Sequence, residues 1–274
     1  MEKDNLKLEK KKFNLKDFLM LHKFEVFAYA GFVLCLIIFS ILPPIINGIS
    51  IWDKGPFNNF VKKVTPLLIV GIGATFIYSM GAIDISVGYQ AAVYGAIAVV
   101  VANATGSYIL GFGIIIIIGI LCAAFNATIG AYVKLPAVMS SVILMQLFSG
   151  ISTLIQDKIG NTTVNITNQA VKNALSWAKN QSSILIVIAI LVLVATYILL
   201  FTKLGKRARA IGANKNAANQ AGAKLLVTRM CAYAVFSVFL CISAFFLTAR
   251  IGAMPMAATE NYQTVSYTHL TLPT

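Results

Sequence analysis

Residues 202–229 read TKLGKRARAIGANKNAANQAGAKLLVTR. The stretch carries seven basic residues (Lys203, Lys206, Arg207, Arg209, Lys215, Lys224 and Arg229) and no acidic one. It is preceded by SILIVIAILVLVATYILLF (183–201) and followed by MCAYAVFSVFLCISAFFLTA (230–249). Each apolar run is close to the ~20 residues a helix needs to cross a bilayer. Basic connections between spans stay on the cytoplasmic side, so this loop is expected to face the cytoplasm. Its second half predicts a short helix: Asn214 is a candidate N-cap, and Lys215 to Lys224 contains no Pro and no β-branched residue. Ala217 and Ala221 stand at i, i+4, and Ala218 and Ala221 at i, i+3, which gives a methyl-lined face that another backbone can approach. An ordinary basic loop that only sets topology fits the same composition.

Working outward, the chain is 58% hydrophobic and 11% charged, with mean hydropathy +0.82. A soluble domain carries about a quarter charged residues, so this is an integral membrane protein. The formal net charge of +13 does not point to nucleic acid, because the basic residues sit between apolar runs, where they set topology. Cys35, Cys122, Cys231 and Cys241 all lie within apolar runs without CxxC spacing. They read as small packing residues, neither disulfides nor metal ligands.

Five further apolar runs, near Val26–Ile46, Val64–Ile83, Gln90–Ala104, Tyr108–Val133 and Ala137–Gln156, bring the spans to seven. The expected fold is all-α, a polytopic transmembrane helix bundle. Residues 1–23 form a basic cytoplasmic tail suited to anionic lipid, and 24–264 form one transmembrane domain containing the 202–229 loop. The first span lacks a small-residue cleavage site and reads as retained. With the N-terminus inside, the tail, Lys134 and the loop hold fifteen of the twenty-two Lys and Arg on the inner side. The segment Trp52 to Lys63, with Lys54, Lys62 and Lys63, runs against that count because it falls outside. Asp157 to Ser182 also falls outside and holds a possible amphipathic helix, Gln169 to Lys179; it is either a solvated connector or part of an outer face.

Residues 79–88 read SMGAIDISVG. Between Lys54 and Thr259 the only acidic residues are Asp84 and Asp157. A carboxylate near a membrane span is costly unless paired or interfacial. Asp84 either caps a helix beginning near Ile85 or belongs to a broken helix beside a transport pathway. No Walker-type GxxxxGK[ST], HExxH or paired acids within a span occur, so no catalytic or metal residue is assigned and no cofactor is expected in this chain.

The run LGKRARAIGANKNAANQAG resembles the cytoplasmic coupling loop of ribose-type sugar permeases from bacterial ATP-binding-cassette importers. The likeness rests on Leu204, Gly205, Lys206, Ala210, Ile211, Gly212, Asn214, Ala217, Ala218 and Gly222. Ala213 and Ala221 depart from the family's usual Gly and Ser. The stretch around Asp84 is similar to the same family's Gly-Ile-Asp-Leu-Ser-Val-Gly signature through Ile83, Asp84, Ser86, Val87 and Gly88, with Ala82 and Ile85 as departures.

The resemblance implies a permease subunit that docks on a cytoplasmic ATPase, with ATP bound by that partner. Gly205, Arg207, Gly212, Asn214, Ala217, Ala218 and Gly222 are then the contact set. Asp84, Ser86 and Gly88 are a pathway or structural signature. It further implies a sugar such as ribose, galactose or xylose, an extracytoplasmic binding protein, and a second permease subunit, expected as a homodimer in the bacterial plasma membrane. A same-class permease for branched-chain amino acids or nucleosides stays open. So does an ion-coupled secondary transporter, against which few intramembrane carboxylates weigh; missing catalytic groups weigh against an intramembrane enzyme. Residues 265–274, VSYTHLTLPT, back-translate to something like a sequencing-library adapter and are expected to be an artefact on a truncated gene.

Overall fold

The computed structural model describes residues 23–132 and 135–256. The basic tail before Lys23 and the 265–274 segment lie outside the described residues. Seven helices among those residues are long and apolar enough to cross a membrane. They are α1 (Lys23–Asn47), α2 (Lys54–Tyr78), α3 (Val87–Thr105), α4 (Tyr108–Tyr132), α5 (Ala137–Ile159), α7 (Gln181–Phe201) and α10 (Leu225–Ile251). Between them lie β1 (Thr163–Asn165), α6 (Gln169–Ala174), a 3-10 turn (Ser176–Lys179), α8 (Lys203–Ala213) and α9 (Lys215–Gln220); β2 (Ala253–Pro255) follows α10. In lipid a backbone must satisfy its own hydrogen bonds, so helices carry the spans.

The chain divides into two units at Asn59/Phe60. In the first, the apolar part of α1 buries none of its side chains; Phe27, Phe32, Phe39 and Ile45 are all exposed. A helix that is apolar all round and unburied is suited to lipid. Past its end, the Trp52 indole N–H donates to Ser40 Oγ at 3.1 Å, and the Trp52 ring stacks on Phe57 with centroids 6.0 Å apart. Aromatic residues of this kind are enriched where a span meets the headgroups.

The second unit is built around α10, which packs most extensively on α4 and then on α3. Its buried residues include Ala232, Tyr233, Phe236, Phe239, Leu240 and Ala244. Helix α3 is rich in small buried residues, Ala91, Ala92, Ala96, Ala98 and Ala102. Lipid supplies no hydrophobic force between helices, so association depends on close packing of such residues. Helices α3 and α4 come close at Gly111 of α4, where an added Cβ would stand 2.5 Å from the Ala98 carbonyl oxygen. The Ser243 hydroxyl donates to the Pro66 carbonyl at 2.8 Å and ties α10 to α2. Of the cysteines, only Cys241 is buried, with its thiol on the Ile115 carbonyl; Cys122 is half-buried, and Cys35 and Cys231 are exposed. The packing role read from the sequence therefore fails for Cys35 and Cys231. Helix α7 buries only Ile184 and Ala195 and presents most of its surface outward.

One end of this unit is closed by the antiparallel pair β1–β2, with Thr163 opposite Pro255, Val164 opposite Met254 and Asn165 opposite Ala253. Asn103 at the end of α3 holds the strap, donating to the Asn165 carbonyl at 2.8 Å and accepting the Thr167 amide at 3.0 Å. Val164, Ile166, Val171 and Leu175 are buried here, so 157–182 is a folded cap instead of a solvated connector. The single helix expected over Gln169 to Lys179 is broken at Leu175 into α6 and a 3-10 turn, its start capped by Asn168. Trp177 lies against Phe245 at 5.7 Å.

Two boundaries differ from the sequence reading. Helix α2 begins at Lys54, not near Val64, and so takes Lys62 and Lys63 into helix; long Lys stems can run along a helix while their charge reaches the interface. It ends at Tyr78, not Ile83, because Gly81 adopts a left-handed conformation (φ +68°). The Ala82 amide then bonds the Ile77 carbonyl at 3.1 Å and the Gly81 amide bonds the Tyr78 carbonyl at 2.9 Å, which terminates the helix.

Candidate functional site

The site lies at the end opposite the strand pair, where residues 79–86 meet α8, α9 and the start of α10. Residues 202–213, read from the sequence only as a basic loop, fold into α8. The Thr202 hydroxyl accepts the Gly205 amide at 3.4 Å, and Ala208 and Ile211 are buried while Lys203, Lys206, Arg207 and Arg209 are exposed. Leu204, Ala208 and Ile211 stand at i, i+4, i+7 behind a Thr, and that spacing is the signal that identifies α8. Gly205 is required by the tight turn from α7: a Cβ there would stand 2.1 Å from the Leu199 carbonyl oxygen.

Asn214 joins α8 to α9 in an extended conformation (φ −156°, ψ 105°). Its side-chain oxygen accepts the amides of Asn216 and Ala217, each at 3.0 Å, and so caps α9 as its position predicts. The helix ends at left-handed Gly222 (φ +84°), with the Ala223 amide on the Ala218 carbonyl and the Gly222 amide on the Asn219 carbonyl, both at 3.0 Å. Within the expected contact set, Arg207, Gly212, Asn214, Ala217 and Gly222 are exposed, whereas Gly205 and Ala218 are buried against the chain's own helices. The methyl face is thus split: Ala218 points inward, and Ala217 and Ala221 point outward.

The two motifs found far apart in the sequence meet. A Cβ on Gly212 would stand 2.2 Å from the Ser79 carbonyl oxygen and 3.3 Å from Met80 Cα. Beside this contact opens a cleft of about 550 Å³, lined by Met80, Ala82, Gly130, Pro136, Ile211, Lys215 and Arg229, among others. The Arg229 guanidinium lies against Gly130, where a Cβ would come 2.5 Å from its Nη1, and 5.9 Å from the centre of the Tyr233 ring.

Asp84 is buried in the connection between α2 and α3. Its Oδ1 accepts the Ser86 amide at 2.9 Å and also the Ser86 hydroxyl; its Oδ2 accepts Asn126 Nδ2 at 3.3 Å. The Gln90 amide donates to Ser86 Oγ, and the Tyr94 hydroxyl to Gln90 Oε1 at 3.2 Å, so a polar line climbs α3 at four-residue steps. Burial pushes the Asp84 carboxyl above its usual range, opposed by the hydrogen bonds from Ser86. The helix begins at Val87 with Ser86 at its N-cap position, so Asp84 holds the turn leading into α3 and is not itself the N-cap. Gly88 is buried in the first turn of α3. The sequence reading missed Asn126, Gln90, Tyr233 and Arg229. Asn126 and Gln90 were findable, as amides inside otherwise apolar runs.

A bundle of spanning helices whose longest basic connection folds into two docked helices defines a polytopic membrane protein with a structured connection between spans. Residues 57–269 match the family model described as branched-chain amino acid transport system / permease component, and the chain belongs to this family. It is 24% identical over 207 residues to the ribose import permease protein RbsC of Haemophilus influenzae, covering 75% of this chain and 64% of that protein. It is 25% identical over 189 residues to the autoinducer 2 import system permease protein LsrC of Photorhabdus laumondii, covering 69% and 56% respectively. It is 25% identical over 233 residues to the galactofuranose transporter permease protein YtfT of Escherichia coli, covering 80% and 64%. The chain therefore spans less than two thirds of the length of each of these relatives. No solved structure matches it.

Proposed function

We propose that this chain is the membrane permease subunit of an ATP-driven bacterial importer and that its cargo is a sugar or sugar-like polyol. The family match over residues 57–269 carries the reading. The names of the three relatives, for ribose, autoinducer 2 and galactofuranose, support the cargo class. In this reading α8 and α9 face the cytoplasm, the N-terminus is inside, and the exposed surface around Arg207, Asn214, Ala217 and Ala221 receives the ATPase. The folded strap at the other end receives a binding protein. ATP closes the ATPase pair, α8 and α9 move with it, and the contact of Gly212 on Ser79 passes the motion to the 79–86 connection. Such transmission needs a bundle with two discrete packings. The functional unit is a pair of permease subunits on a pair of ATPases.

The experiment is reconstitution of the permease in vesicles with an ATPase and a binding protein. Uptake of labelled ribose or galactofuranose that requires enclosed ATP is the expected result. Uptake driven by an ion gradient without ATPase would overturn the reading. The family's description favours one second cargo, a branched-chain amino acid, and labelled leucine in the same vesicles distinguishes it.

A further inference from the structure

The unburied face of α5 differs from the lipid-facing surfaces of its neighbours. The buried side of α5 carries Ser140, Ser141, Leu144, Phe148 and Ser152, with Phe148 edge-on to the Tyr94 ring of α3 at 5.7 Å. On the unburied side Met139, Ile143, Gln146, Gly150, Thr153 and Asp157 follow one another at alternating steps of four and three residues, and all are exposed. That spacing stacks them in one stripe along the helix. Helix α7, by contrast, exposes Leu185, Ile186, Ile190 and Leu193, a surface that suits hydrocarbon.

Gln146 stands in the middle of α5, and its side-chain amide bonds no group among the described residues. Thr153 on the same stripe satisfies itself, donating its hydroxyl to the Ser149 carbonyl at 3.1 Å. A free amide at mid-span is costly against hydrocarbon, and polar groups at that depth face a bundle interior or a water-filled passage. The space beside it is open, since a Cβ on Gly150 would meet no atom within 4 Å. The stripe also changes along its length. From Gln146 towards the strap it is polar or small, ending at Asp157. Towards the cleft, which Pro136 and Ala137 line where α5 begins, it is Met139 and Ile143. A polar entry that narrows on to apolar side chains is how a passage is gated. A seam between two copies of α5 on a two-fold axis would instead set Asp157 against its own counterpart, like charge on like.

We propose that this stripe is a wall of the cargo passage and that the Gln146 amide is a hydrogen-bonding contact for a neutral, hydroxyl-rich cargo. The proposal rests on the permease function proposed above and names a residue that acts in it. An amide side chain both donates and accepts, as a hydroxyl does, so Gln146 can serve a polyol in either sense. A zwitterionic amino acid calls for a cation and an anion at one depth, and the stripe offers neither beside Gln146; its one charge, Asp157, lies at the strap end. Met139 and Ile143 then form the apolar closure between Gln146 and the basic end.

The test is thiol labelling of the protein in nanodiscs of phosphatidylcholine and phosphatidylglycerol. Gln146→Cys and Thr153→Cys are compared with Leu193→Cys on α7, a lipid-facing control that is 70% exposed. The probe is a charged methanethiosulfonate, which needs a thiolate and therefore a thiol in contact with water. Modification is read at each site by mass spectrometry, so the native cysteines do not enter. Severalfold faster labelling of Gln146→Cys and Thr153→Cys than of Leu193→Cys is expected. Labelling of Gln146→Cys no faster than the control overturns the passage. So does oxidative cross-linking of Gln146→Cys between copies without labelling, which would make the stripe a packing seam. Should Gln146→Cys fail to fold, Gly150→Cys on the same stripe takes its place. In vesicles with an ATPase and a binding protein, ATP-dependent ribose uptake is expected to fall severalfold in Gln146→Leu at unchanged melting temperature, and to fall less in Gln146→Asn. Full uptake in Gln146→Leu overturns the role of the amide. Absence of ribose uptake by the unaltered protein counts against the proposed function, and the labelling still decides the passage.

Discussion

Gly212 of α8 sits so close to Ser79 that a methyl group on it would stand 2.2 Å from the Ser79 carbonyl oxygen. The contact joins the two sequence motifs across more than a hundred residues and seats the basic helical pair on the end of the bundle.

Gly212→Ala should therefore unseat α8. Carbonyl oxygens of a helix end cannot yield as a flexible side chain does, and overpacking of this kind costs about 1–3 kcal/mol. The expected outcome is a lower melting temperature and, on the proposed function, reduced co-purification of an ATPase. Gly222→Ala acts by another route, because a non-glycine residue in the left-handed region costs roughly 1–2 kcal/mol; it should loosen only the end of α9. Equal loss of ATPase binding in both would show that Ser79 has no special part.

Substitutions on α9 should separate docking from folding. Ala217 and Ala221 are exposed and Ala218 is buried. Ala217→Trp is expected to leave the melting temperature unchanged and to abolish ATPase binding and uptake. Ala218→Trp should lower the melting temperature, because the ring has no room against the chain's own helices. Retained ATPase binding and uptake in both Ala217→Trp and Ala221→Trp would mean that this face is not a docking surface.

Asp84→Asn should be tolerated. The introduced amide keeps an acceptor for the Ser86 amide, and Asn126 can rotate to offer the Oδ1 that no protein group engages. A stability change within about 1 kcal/mol is expected, whereas Asp84→Leu removes the acceptor and should cost about 1–3 kcal/mol. The Asp84 carboxyl is raised by burial, so the native state binds its proton more readily than the unfolded state. Stability contributed at this site then falls as pH rises from the ordinary carboxylate value through the raised one, and Asp84→Asn should flatten that fall in melting curves taken across pH. A steeper dependence in Asp84→Asn would contradict this.

Gly111→Ala tests the core. Its Cβ would meet the Ala98 carbonyl oxygen at 2.5 Å, so α3 and α4 must separate, at about 1–3 kcal/mol. Ser243→Ala, which removes one interhelical hydrogen bond to Pro66, should cost only about 0.6 kcal/mol. Thermal melting of the two variants side by side gives the order; a larger loss for Ser243→Ala would place the decisive contact between α2 and α10 instead.

The sequence by itself determined the spans, their order and the basic end, because bilayer thickness and backbone satisfaction act locally on any run of about twenty apolar residues. It also determined the Asn214 cap, since an N-cap bonds only its next few amides. It held the spacing for α8 in Leu204, Ala208 and Ile211, although the charge of the stretch masked it. Only the tertiary structure decided that Ala218 turns inward, that Asp84 meets Asn126, and that Gly212 meets Ser79. A spanning helix that is apolar on every side carries little record of which face its neighbours take, so its rotation is settled by close packing between residues far apart in the chain.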